Sequence, residues 1–197
     1  MKFKWIIMSI VMLLCANFSA IAQEKGTSEF VIGIGGLTSN DLLNDISNLI
    51  VTGTSVGNVN YSNTSTFGAV YLGYRYTIVD RWVLGLAFVY QQVKEDVKVN
   101  GSDAGEAKYG YYTVGIESDY RYISREAFQM YSGIGVGFTF QDDKYDGSSS
   151  DIADSDDRYF NFQINALGFR FGKAFGGFLE LGYGYKGVVN AGVSYQF

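Results

Sequence analysis

Large apolar side chains recur at every second position over most of this chain, and that period limits what it can fold into. Side chains alternate faces along a β-strand, whereas a helix repeats about every 3.6 residues, so the pattern requires strands with one apolar and one small or polar face. The last segment is the cleanest case. Val189, Ala191, Val193, Tyr195 and Phe197 form one row, and Val188, Asn190, Gly192, Ser194 and Gln196 the other.

The same alternation runs through seven earlier segments. The first sets Phe30, Ile32 and Ile34 against Val31, Gly33 and Gly35, and the second sets Val70, Leu72, Tyr74, Tyr76 and Ile78 against Ala69, Tyr71, Gly73, Arg75 and Thr77. The third has Trp82, Leu84, Leu86, Phe88 and Tyr90 on its apolar row, the fourth Tyr112, Val114, Ile116, Tyr120 and Tyr122, and the fifth Met130, Ile134, Val136, Phe138 and Phe140. In the sixth, Phe160, Phe162 and Ile164 share one parity and Leu167, Phe169 and Phe171 the other, so an extra residue near Ala166 and Leu167 predicts a β-bulge. The seventh places Leu179, Leu181, Tyr183 and Tyr185 on the apolar row and Glu180, Gly182 and Gly184 opposite.

Eight such strands suit an all-β, up-and-down antiparallel barrel, and the composition of the second row says which face meets what. A soluble barrel's exterior would be rich in lysine and glutamate, whereas the second row here is mostly glycine, threonine, asparagine and glutamine. The apolar row therefore faces lipid, with tyrosine and tryptophan at strand ends such as Trp82, Tyr74, Tyr76, Tyr120 and Tyr122 at the membrane-water interface. Connections after strands one, three and five read as long loops, roughly 38–64, 92–108 and 142–158. Those after strands two, four and six read as short turns near 79–81, 123–127 and 172–177, an asymmetry typical of single-chain membrane barrels.

The N-terminus fits export. Lys2 and Lys4 precede an apolar run from Trp5 to Cys15 that is too short to span a bilayer, followed by Ala20-Ile21-Ala22. Residues 1–22 are expected to be a cleaved signal peptide, and 23–197 the barrel domain. The single cysteine lies in that leader, so disulfides are not expected in the mature chain. The formal charge of −5, which becomes more negative once Lys2 and Lys4 leave, argues against nucleic-acid binding.

The closing stretch Gly176-Gly-Phe-Leu-Glu-Leu-Gly-Tyr-Gly-Tyr-Lys-Gly-Val-Val-Asn-Ala-Gly-Val-Ser-Tyr-Gln-Phe197 resembles the last hairpin of the outer-membrane β-barrel domain family, the small OmpA/OmpX/OmpW-type proteins. The resemblance implies an eight-stranded barrel in the cell outer membrane, among outer-membrane lipids and lipopolysaccharide. It also implies that the row Val193, Tyr195 and Phe197 is the assembly signal read by the barrel-insertion machinery. The family's functions are diverse, and the likeness is to the barrel alone.

Candidate chemistry is sparse. The chain has no histidine, which removes the general base on which lipid- and peptide-cleaving barrels of this size rely, so no catalytic residue is assigned and an enzyme is not expected. The inward charges Arg75, Glu117, Asp119, Arg121 and Glu180, with Arg170 as a further candidate, form the most suggestive cluster. They read as a salt-bridged plug centred on Glu180 between arginines, or alternatively as the lining of a narrow polar conduit.

Asp142 to Asp157 is acidic but fails the calcium-loop template, because Lys144 and Ala153 fall on ligand positions. It is expected to be a solvated loop that binds divalent ions weakly at the lipopolysaccharide surface at most. Gly168 to Ala174 lacks the spacing of a phosphate-binding loop, and no cofactor or metal site is assigned. Leu42, Leu43, Ile46, Leu49 and Ile50 recur at helical spacing after Ser39-Asn40-Asp41, a candidate N-cap. They suggest a short helix over the barrel mouth or a surface for a hydrophobic ligand or host partner. The chain thus reads as a structural or surface-interaction barrel, with a small passive channel or a carrier of hydrophobic molecules as the alternative.

Overall fold

A computed structural model describes residues 25–41, 59–99, 102–147 and 155–197. The strands are β1 (Ser28–Gly36), β2 (Val59–Val79), β3 (Trp82–Val99), β4 (Ser102–Ser124), β5 (Phe128–Gly147), β6 (Ser155–Gly172), β7 (Phe175–Gly184) and β8 (Val189–Gln196). Each pairs antiparallel with the next, and β8 returns to β1, so the sheet is a closed barrel in meander order. Closure leaves the membrane-embedded wall with no unpaired strand edge, the condition for crossing lipid with strands. The seam pairs Phe30 with Tyr195, Ile32 with Val193 and Ile34 with Ala191, while Ser28 and Phe197 exchange two backbone hydrogen bonds of 2.9 Å.

Burial is inverted relative to a water-soluble barrel. The apolar row points outward, with Leu86, Ile116 and Ile134 57–63 % exposed, while Arg121, Glu180 and Lys186 are fully buried. Every residue of the terminal row, Val193, Tyr195 and Phe197, lies on the outer face. Such an exterior is stable only against hydrocarbon, so the soluble ligand-enclosing alternative is excluded. At the end with short turns the belt is bordered by aromatic pairs: Trp82 with Tyr120 at 5.2 Å, Phe30 with Tyr74 at 5.3 Å and with Phe197 at 5.6 Å, and Phe128 with Phe171 at 5.2 Å. The opposite border has Tyr90 with Tyr112 at 5.0 Å and Phe138 with Phe160 at 6.2 Å. From Trp82 to Tyr90, β3 advances about 26 Å at ~3.3 Å per residue. At a tilt near 40° that is roughly 20 Å of height, close to the apolar band of a membrane barrel.

Beyond Tyr90 the strands continue and their polarity reverses. On β3 the outward side chains become Gln92, Lys94 and Asp96, and the buried ones Val93, Glu95 and Val97. The expected long loops 92–108 and 142–158 are therefore mostly strand, with β3 paired to β4 as far as Val99 and Ser102 and β5 to β6 as far as Asp143 and Ser155. Loop prediction fails there because the period persists while its apolar phase changes sides. β1 ends at Gly36, β7 ends at Gly184 and β8 begins at Val189, so among the described residues β2 to β6 alone rise past the belt, as a five-stranded sheet. Exposed ion pairs such as Lys108 with Glu106 at 3.3 Å decorate its outer face.

The parity change in β6 is a bulge as expected. Asn165 pairs with Gly182 and Leu167 with Leu181, leaving Ala166 unpaired, and the β5 register shifts at the same place. Ser132 Oγ donates to the freed Ala166 carbonyl at 2.7 Å. Two further expectations change. Tyr185 is fully buried, not outward, because Gly184 adopts φ +142 and ends β7, so strand alternation no longer governs the next side chain. The N-cap of the first connection is Thr38, upstream of the expected Ser39 to Asp41. Asp41 Oδ2 accepts from the Thr38 amide at 2.7 Å, and Thr38 Oγ1 accepts from the Asp41 amide at 3.2 Å, a reciprocal capping pair. The apolar positions from Leu42 to Ile50 lie outside the described residues, as do the leader and its cleavage site.

Candidate functional site

The lumen holds three tiers of polar side chains beside a buried cluster of Val31, Ala69, Tyr71, Val89, Phe178 and Tyr185. Nearest the short turns, Glu29 on β1 accepts from Arg121 Nη2 at 2.6 Å and from Arg170 Nε at 2.8 Å. Arg121 also donates to Gln129 Oε1. Arg170 Nε donates to Ser194 Oγ, while its terminal nitrogens donate to the carbonyls of Gly172 at 2.8 Å and Lys173 at 2.7 Å, tying the lumen to the β6–β7 turn.

The middle tier centres on Glu180 of β7. Its Oε1 accepts from Arg75 Nη2 at 2.6 Å and from the Tyr131 hydroxyl at 2.8 Å, and its Oε2 lies 3.5 Å from Lys186 Nζ. Lys186 pairs more closely with Glu117 at 2.8 Å, which also accepts from Tyr185 OH at 2.9 Å. Asp119 faces Arg75 Nε at 3.6 Å, an ion pair too long for a hydrogen bond. The Tyr131 ring lies between Arg75, at 5.6 Å, and Arg121, at 5.4 Å, and couples this tier to the first by cation–π contacts.

Glycines make room for these groups. A Cβ on Gly168 would come within 2.4 Å of the Tyr131 ring, and Cβ atoms on Gly115 and Gly135 within 2.7 and 2.4 Å of the Tyr185 hydroxyl. Gly115, Gly135 and Gly168 are thus the sockets of the inward Tyr185 and Tyr131.

The third tier closes the mouth with the segment entering the first connection. Thr38 Oγ1 and Asn40 Nδ2 both donate to Gln91 Oε1, at 2.8 and 3.0 Å, and Gln91 Nε2 donates to Asp41 Oδ1 at 2.7 Å. Across the lumen, Asn161 Nδ2 and Tyr159 OH donate to Asn40 Oδ1 at 3.1 and 2.9 Å, and Ser39 Oγ donates to Asn161 Oδ1 at 3.0 Å.

The predicted charges are not one cluster. Arg75, Glu117, Asp119 and Glu180 meet in the middle tier, whereas Arg121 lies in the first with Arg170. Glu180 sits between an arginine, a tyrosine and a lysine, not between arginines as expected. Sequence reading omitted Glu29, Tyr131 and Lys186. Glu29 shares the inward parity of Val31 and was legible, but Lys186 stands in the β7–β8 turn, where no period applies. Arg75, Arg121, Arg170 and Lys186 face Glu29, Glu117, Asp119 and Glu180, so the array is neutral when fully ionised. Opposed pairing of this kind makes burial of charge tolerable. Among the described residues, no group of three or more acidic, histidine or cysteine side chains is arranged to hold a metal ion.

An outward apolar belt, a closed meander and a lumen of paired buried charges define a membrane-spanning, eight-stranded β-barrel. No family model and no curated protein matches the chain. Among solved structures it is similar to Ail, the attachment invasion locus protein of Yersinia pestis, in complex with the heparin analogue sucrose octasulfate. The identity is 15 % and the TM-score 0.46, over 88 % of this chain and 99 % of that one. The backbone structure of Yersinia pestis Ail in a phospholipid bilayer nanodisc is similar at 17 % identity and a TM-score of 0.40, over 88 % and 100 % of the two chains.

Proposed function

We propose that this protein is an exported outer-membrane barrel with a structural or surface-interaction role, its lumen serving as a plug and not a path. The observation that carries the reading is the mutual pairing of the buried lumen charges in two tiers, beneath a hydrogen-bonded cap from Thr38 to Asp41. A conduit would leave such charges free to meet passing ions. Recognition then falls to the β2–β6 sheet that rises past the belt, and to the connections it carries. Outer-membrane lipids and lipopolysaccharide surround the belt, and Val193, Tyr195 and Phe197 are the row offered to the insertion machinery.

The test is single-channel recording of the refolded barrel in planar bilayers. Membranes that contain folded protein and stay silent support the plug. Reproducible conductance steps altered by Glu180→Gln would transfer the proposal to a small passive channel.

A further inference from the structure

Above the belt, the β2–β6 sheet has no β7, β8 or β1 beside it, yet one part of its inner face is dry. Val93 and Val97 on β3 and Ala107 and Tyr111 on β4 are buried, with Glu95 buried between the two valines. The outer row of the same stretch of β3, Gln92, Lys94 and Asp96, keeps partial exposure. An apolar face open to water would invite a foreign partner, but here water is already excluded with no other molecule present, so the occupant belongs to this chain.

Topology narrows which part of the chain it is. Residues 1–24 precede β1 at the short-turn end, where Ser28 pairs with Tyr76. Residues 100–101 are used up in joining Val99 to its partner Ser102. Residues 148–154, Ser-Ser-Ser-Asp-Ile-Ala-Asp, are mostly polar and join β5 to β6, on the side of β4 away from β3. Residues 42–58, which lie outside the described residues, run between the right points. They start at Asp41, held inside the mouth by Gln91 of β3 just below Val93, and end at Val59, the partner of Val99 at the top of β3.

We propose that the segment 42–58 docks on the inner face of β3 and β4, setting Leu42, Leu43, Ile46, Leu49 and Ile50 against Val93, Val97, Ala107 and Tyr111. The length fits. Gln91 to Val99 is about 26 Å of strand at ~3.3 Å per residue. Helical spacing puts the five apolar residues on one face, and a helix from Leu42 to Ile50 rises about 13 Å at ~1.5 Å per residue, which leaves 51–58 to make up the rest. The sheet then carries an apolar core of its own in water, the inner face is not a pocket for a hydrophobic ligand, and the outer face is the one left for recognition. The inference rests on the proposed function only in placing this sheet outside the membrane.

Cysteine pairs test it. In a Cys15→Ser background the chain has no cysteine, so introduced pairs link without competition. Ile46→Cys is combined with Val93→Cys or Val97→Cys, and as controls with Lys94→Cys or Asp96→Cys on the outer face, and disulfide formation is followed on non-reducing gels. Inner pairs should link roughly tenfold faster than outer pairs, since docking raises the local concentration of one thiol at the other. Equal rates, or linkage chiefly between two copies of the chain, overturn the proposal.

A disulfide requires Cα atoms within about 7 Å, so a second measurement that does not depend on register decides the case where no pair links. Val97→Cys alone should resist a water-soluble maleimide, and adding Ile46→Asp with Leu49→Asp should raise its labelling rate severalfold. Labelling of Val97→Cys as fast as Lys94→Cys, or a rate unmoved by the two aspartates, overturns the proposal. Insertion is verified beforehand by the gel mobility of unheated samples, so a failure of the barrel reading is seen separately from a failure of the docking.

Discussion

Glu29→Gln tests whether the lumen array holds the barrel together. Glu29 is 1 % exposed and serves two guanidinium groups, Arg121 at 2.6 Å and Arg170 at 2.8 Å, with no other carboxylate in its tier. Glutamine keeps the shape but removes the charge and turns an amide donor toward a cation, leaving two buried arginines to repel one another. Removing one partner of a buried ion pair costs about 3–5 kcal/mol. For a chain of this length each kcal/mol moves the melting temperature by roughly 2–4 °C, so a fall of roughly 6–20 °C is expected.

The comparison variant is Glu180→Gln. There Asp119 remains 3.6 Å from Arg75 and Glu117 holds Lys186 at 2.8 Å, so alternative counter-charges persist and the loss should be about half as large. Both are read by the heat-dependent gel shift in detergent and by far-ultraviolet circular dichroism. The reasoning is refuted if Glu29→Gln melts within a few degrees of wild type, or no lower than Glu180→Gln. Adding Arg121→Gln to Glu29→Gln should recover part of the loss, since Arg170 alone keeps the turn carbonyls of Gly172 and Lys173.

Three further outcomes follow from the same geometry. Gly168→Ala should destabilise by about 1–3 kcal/mol, because its Cβ would lie 2.4 Å from the buried Tyr131 ring, whereas Gly177→Ala, with nothing nearer than 3.7 Å, should fall within about 0.5 kcal/mol of wild type in urea titrations. Phe197→Ala removes a ring stacked on Phe30 at 5.6 Å and Tyr195 at 5.7 Å on the lipid face. If the terminal row is an assembly signal, the amount of folded protein in cell membranes should fall severalfold while refolding in micelles changes little; equal losses in both would reduce its role to packing. Lys186→Met should lower the melting temperature, and Lys186→Met with Glu117→Gln should restore part of it, as a coupled pair requires; strictly additive losses would sink the pairing.

Much of the barrel was legible because a lipid-facing wall must repeat with period two. The apolar rows of β1 to β6, the bulge at Ala166 and the inward course of Arg75, Glu117, Asp119, Arg121 and Glu180 all follow from parity alone. Parity fails where the backbone leaves the strand. Gly184 at φ +142 released Tyr185 and Lys186 from alternation, and both turned into the lumen. It also misleads where the environment changes along a strand, since Val93 and Val97 keep the period but sit inside, beneath an outer face that water has claimed.

The sequence by itself therefore determined the number of strands, the face each presents to lipid and the charges available to the lumen, because these depend only on a residue's neighbours along one chain direction. Which charges meet was decided by tertiary structure. Glu29 and Arg170 are separated by 141 positions, and Arg75 and Glu180 by 105. Their partnership exists only after closure and strand register bring opposite walls within reach, and no local pattern encodes a distance across a barrel.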